Sequence, residues 1–175
     1  YSYLRILAKI MEHENDPKYE NLNKELRKLS RKISNEIFNV RESIDFYYGP
    51  LEKFMERKMP LFKSRGVANC GEVSSAILYY LKQKGEDAHK IHIQIKKKLF
   101  KKPENRLFSD HSFVVIGLKK DAKLTDPKTW GNNAVIVDAW NGVVGKAKEV
   151  LDQYQRMFKF NPKKEKIIFT CMDLK

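Results

Sequence analysis

Along the first third of the chain, apolar residues recur three and four positions apart. Leu22, Leu26, Leu29, Ile33 and Ile37 form one stripe, and Lys24, Arg27, Lys28, Arg31 and Lys32 fall on the other side. That period marks an amphipathic helix. A short helix is expected before it, broken at Asn15-Asp16-Pro17. Another is expected from Ser43 to Arg57, redirected at Gly49-Pro50, because proline favours a helix start and disfavours helix in the residue before it. Met59-Pro60 is expected to end this helical region, residues 1–60.

From about residue 69 the pattern changes. Cys70 to Lys84 keeps a helical stripe of Val73, Ala76, Ile77, Tyr80 and Leu81, with Gly85 placed as the C-terminal cap. Asn69 followed three residues later by Glu72 is the amide form of a capping box, which puts Cys70 in the first helical turn. Ile91, Ile93 and Ile95 then alternate with His92, Gln94 and Lys96, as a strand with one buried face does. His111 to Leu118 and Ala134 to Trp140 have continuous apolar centres and read as interior strands. Lys146 to Phe158 reads as a helix and Glu165 to Cys171 as a last strand. The expected class is α+β: N-terminal helices, then a core (residues 66–175) in which a helix packs on an antiparallel sheet, all within one domain.

Composition narrows the class of protein. No apolar run approaches the roughly 20 residues that span a bilayer, and no segment has the form of a signal peptide, so a soluble protein is expected. The chain opens on Tyr1 rather than Met, as a piece of a longer protein would. Its cysteines, Cys70 and Cys171, form no C-x-x-C pair, which leaves free thiols rather than a zinc knuckle or disulfide framework. The net charge of +13 favours acidic partners, and most of it lies after residue 65.

Cys70, His111 and Asp138 follow one another in the order of a thiol nucleophile, its base and an orienting acid. A nucleophilic cysteine acts as its thiolate, so its surroundings must favour the anion. A first helical turn offers unpaired N–H groups and the positive end of the helix dipole. An imidazole can take the proton, and a carboxylate on its other nitrogen fixes the ring. Backbone N–H groups around Cys70 can also receive a substrate oxyanion. The helix–strand–strand order brings these side chains to one edge of a sheet. Asp110, next to His111, points to the other face of the strand and is not the acid.

The strings GVANCGEVSSAILYYLKQKG, DHSFVVIG and VIVDAWNG, covering residues 66–142, resemble three signatures of the papain-like and transglutaminase-like cysteine enzymes, particularly compact members among bacterial effectors and toxins. The resemblance implies Cys70 as nucleophile, His111 as general base and acid, and Asp138 as orienting residue, with Trp140 lining the site. It implies a protease, glutamine deamidase, transglutaminase or acyltransferase working through a thioester on a protein substrate, with hydrolysis ahead of transfer, and an effector acting inside a host cell. Papain-like proteases carry a glutamine oxyanion donor before the cysteine. Lys63 to Ala68 has none, so Asn69 or Gln94 is the substitute considered, with Asn69 drawn toward its capping role.

No cofactor or metal is expected. His89 and His92 fall on opposite faces of a strand, Cys171 reads as a buried, inert thiol, and His13 as a solvated helix residue. Lys96 to Lys102 holds five lysines in seven positions and reads as a solvated hairpin able to touch anionic lipid or an acidic partner. The competing class is a non-catalytic basic module for nucleic acid or lipid. No RNP string, zinc finger or helix-turn-helix signature supports it.

Overall fold

The structure, a computed structural model, describes residues 28, 31–32, 35–39, 50–65, 68–97, 110–158 and 160–173. The helix expected before Asn15, most of the Leu22 to Ile37 stripe, residues 40–49 and the later part of the basic run fall outside them. Residues 35–39 are helical, and Ile37 is buried against Phe54 and Phe62.

Helix α1 follows Pro50 and comprises Leu51–Lys53, a π-helical stretch Phe54–Lys58, and Met59–Arg65. The expected end at Met59-Pro60 is therefore corrected, because helix runs on through Pro60. Proline removes one N–H from the ladder. The i→i+5 winding just before it shifts the register of the bonds and lets the chain stay helical.

Helix α2, Cys70–Gln83, starts and stops as its sequence dictates. The capping box at Asn69 and Glu72 is formed, and Gly85 takes the left-handed conformation (φ 79°) that ends the helix. Strands β1 (His89–Lys97), β2 (Asp110–Ile116), β3 (Val135–Asp138), β4 (Val143–Lys146) and β5 (Glu165–Cys171) form a sheet in the order β4-β3-β2-β1-β5, with every neighbouring pair antiparallel. Helix α3, Ala147–Met157, leaves β4 directly. Strand β4 lies outside the expected elements. Its signal was Asn141-Gly142, the end of the four-residue turn 139–142, where Gly142 supplies a positive φ of 69°.

Register explains why β2 is continuously apolar from Phe113 to Ile116. Phe113 and Val115 pack with Ile91, Ile93, Ile136, Val150, Tyr154 and Phe158 under α3. Val114, one residue out of phase, packs with Leu51, Leu78 and Ala88 under α1 and α2. A central strand covered on both faces needs a continuous apolar run. Each fully buried side chain of this size, such as Leu78 or Phe113, stabilises the fold by about 1.5–3 kcal/mol. The molecule is thus α+β, with the helix that carries Cys70 on one face of an antiparallel sheet and α3 on the other.

Candidate active site

Cys70 is fixed from two directions. On its N-terminal side, Asn69 Oδ1 accepts the Cys70 backbone N–H at 2.8 Å, while the buried Glu72 carboxylate accepts the Asn69 N–H at 2.9 Å. Beneath the turn, the buried ammonium of Lys90 on β1 donates to Gly71 O at 2.9 Å and to Ser75 Oγ at 2.7 Å. The hydroxyls of Ser74 and Ser75 also donate to Gly71 O. A carbonyl held by this many donors fixes the peptide next to the cysteine. The thiol is in no disulfide and is half-buried.

His111 and Asp138 come from adjacent strands. Val114 pairs with Val137, so Asp138 continues the register opposite Phe113, on the same face as His111 two residues earlier. His111 Nε2 donates to Asp138 Oδ2 at 2.7 Å, and both side chains are almost fully buried. The same oxygen accepts Asn141 Nδ2 at 2.7 Å and the hydroxyl of Tyr154 on α3. Asp138 Oδ1 accepts the Asn141 backbone N–H at 3.2 Å. Four donors on one carboxylate are the arrangement of an orienting acid rather than of an open metal ligand. Rings enclose the imidazole, with Trp140 and Tyr154 centroids each 5.4 Å away and Phe113 and Phe158 slightly farther.

Burial alone would push the His111 imidazole down. Hydrogen bonds to Asp138 and Cys70, with the charges of both, outweigh it and raise the ring to about 9. Since Nε2 faces Asp138, Nδ1 is the nitrogen left for the Cys70 sulfur. This reverses the ring polarity of the serine-protease triad, in which the aspartate holds Nδ1. Burial likewise pushes Asp138 up, but the hydrogen bond and charge of His111, with help from Tyr154 and Asn141, hold its carboxyl below the usual range. The Tyr154 hydroxyl is pushed far up, by burial and then by the Asp138 charge. It therefore stays a donor.

Set against models of protein families, curated proteins and solved structures, the chain matches none. Its chemistry has to be read from its own residues.

Of the residues singled out in the sequence, Cys70, His111 and Asp138 come together, and Trp140 stands against the imidazole. Asn69 spends its side-chain oxygen and the Cys70 N–H on the cap, so the Nδ2 end is what it has to offer an oxyanion. Gln94 lies on β1 opposite Asp110, on the sheet face turned away from His111. His92 shares that face, 3.0 Å from Ser112 Oγ, and burial lowers it despite nearby Asp110. Asn141, Tyr154 and Lys90 were not singled out. Tyr154 had a signal: it lies in the Val150, Tyr154, Phe158 stripe of an amphipathic helix, where a buried hydroxyl needs a polar partner. Lys90 had a weaker one, since in an alternating strand it looks like any solvent-facing residue.

Proposed function

We propose that this chain is a thiol-dependent hydrolase with a core of the papain-like and transglutaminase-like kind, attacking an amide of a protein substrate: a peptide bond or a glutamine side chain. The observation that carries the reading is His111, buried with Nε2 on Asp138 and raised by the side chains of Asp138 and Cys70 together. An imidazole raised to about 9 holds its proton at neutral pH and can deliver it beside the sulfur.

In this mechanism the Cys70 thiolate adds to the amide carbon, and the carbonyl π pair moves to oxygen. As the tetrahedral adduct collapses, the C–N bond breaks, His111 Nδ1–H protonates the departing amine or ammonia, and a thioester remains. Neutral His111 then takes a proton from water, whose oxygen attacks the thioester. Expulsion of the sulfur yields a carboxylic acid and restores the thiolate–imidazolium pair. Asp138 stays ionised and stabilises the imidazolium through Nε2. Trp140, beside the ring, forms one wall of the approach.

Wild-type protein and Cys70→Ala are incubated with a eukaryotic cell lysate, and the products are compared by mass spectrometry. New termini identify a protease, and glutamine converted to glutamate identifies a deamidase. Isopeptide cross-links move the reading to transglutamination. No difference between the two proteins removes the enzyme reading.

A further inference from the structure

At the other end of β1 a second group of side chains converges. Ile91 pairs with Cys171, and the Met172 N–H donates to Lys90 O at 2.8 Å, so the antiparallel register continues one residue beyond β5 and sets Asp173 opposite His89. Cys171 and Asp173 are two apart and thus share a face, and His89 is directly across from it. The pattern is a Cys-x-Asp edge meeting a histidine. One donor atom from each residue lies within 4.8 Å of the others, and all three residues are half-buried.

The group is already oriented. Asp173 Oδ1 accepts the Lys90 N–H at 2.8 Å, which turns Oδ2 toward His89 Nδ1 at 2.6 Å. On the far side of the ring, His89 Nε2 lies 3.1 Å from Asp87 Oδ1. A histidine with one nitrogen toward other donors and the second on a carboxylate has the supporting partner that metal-ligating histidines use.

We propose that His89, Cys171 and Asp173 form a zinc site with three protein ligands, supported by Asp87. A thiolate, an imidazole and a carboxylate are the donors zinc takes, whereas magnesium and calcium take oxygen alone. A tetrahedral ion with bonds of about 2.0–2.3 Å keeps its donors roughly 3.3–3.7 Å apart. His89 and Asp173, 2.6 Å apart, therefore part by somewhat under about 1 Å, and the sulfur, within 4.8 Å of both, draws in by at most roughly 1.5 Å. Binding forms Zn–N, Zn–S and Zn–O bonds and releases the Nδ1 and thiol protons to solvent. The fourth position goes to water or another donor. This site lies four residues along β1 from Ile93, the partner of His111, or about 13 Å along the strand, and is separate from the Cys70 centre.

The test is calorimetric titration of the 175-residue chain with zinc chloride, in the wild type and in a Cys70→Ser background. One zinc per chain is expected in both. Cys171→Ser and His89→Ala should each weaken binding at least tenfold, and the exposed Asp87→Asn, which carries little folding risk, about tenfold. Cobalt as a probe should give a thiolate-to-metal absorption band that Cys171→Ser removes and Cys70→Ser keeps. Absence of zinc uptake, or uptake lost with Cys70→Ser and unchanged by Cys171→Ser and Asp87→Asn, overturns the proposal.

Discussion

The Tyr154 hydroxyl on α3 donates to the same Asp138 oxygen that holds His111 Nε2, so the helix on one face of the sheet sets the acid that orients the imidazole. Tyr154→Phe keeps the ring and removes the donor. A hydrogen bond to a buried charge contributes roughly 1.5–3 kcal/mol, which in a chain of this size lowers the melting temperature by about 5 °C. With one donor fewer, the carboxylate becomes more basic and holds the imidazolium more tightly. NMR titration should find His111 shifted upward. A downward shift would mean that Tyr154 does not act through Asp138.

Asp138→Asn removes the charge while keeping the shape. His111 should fall from about 9 toward its ordinary 6.5, since the partner that offsets its burial is gone. The new amide donates to Nε2 and forces the proton onto Nδ1, the wrong tautomer for a base facing Cys70. For the proposed hydrolase this costs on the order of 10⁴ in kcat, by analogy with the serine-protease triad. Stability should fall by about 3 kcal/mol, as when one partner of a buried ion pair is lost.

Stability itself should depend on pH, with two limbs of opposite sign. His111 has a folded value raised above its unfolded one, so its contribution is complete below about 6.5 and is lost as pH rises through about 9. The size is on the order of 3 kcal/mol. Asp138 has a lowered folded value, so its contribution is present above about 3.9 and disappears as pH falls through the lower folded value. Urea unfolding across this range should give a plateau in mildly acidic buffer and a decline toward alkaline pH. The decline should flatten in Asp138→Asn; an unchanged alkaline limb would detach it from the His111–Asp138 pair.

Alkylation separates the two thiols. Iodoacetamide in mildly acidic buffer should label Cys70 stoichiometrically, and His111→Ala should slow that labelling by at least tenfold. Burial pushes the Cys171 thiol up, so it should stay unmodified under the same conditions. Peptide mapping of the labelled protein gives the answer directly. Equal rates for Cys70 in wild type and His111→Ala would break the link between thiol and imidazole.

Asn69→Asp keeps the capping acceptor and removes the Nδ2 donor. If that end faces the substrate oxyanion, kcat on whichever substrate the lysate comparison identifies should fall by about 10²–10³ with the melting temperature nearly unchanged. A fall in stability with unchanged turnover would leave Asn69 as a cap alone.

Local patterns were legible because they rest on local forces. The Asn69–Glu72 capping box, the stop at Gly85, the alternation of β1 and the order Cys70, His111, Asp138 all come from contacts within a few residues or from simple alternation. Pro60 departs from its expected role for the opposite reason. The sequence shows the missing N–H but not the π winding that accommodates it. Register decided the rest. Only the pairing of Val114 with Val137 puts Asp138 on the face of His111, and only the packing of α3 on that face brings Tyr154 to the carboxylate. Lys90 gains its place under Gly71 because β1 lies beneath the first turn of α2, and His89 meets Asp173 because β1 and β5 are neighbours. The sequence by itself determined which residues can do chemistry and which elements carry them. Tertiary structure decided which of them touch, because contacts between residues tens of positions apart depend on strand register and helix placement, and no local periodicity encodes those.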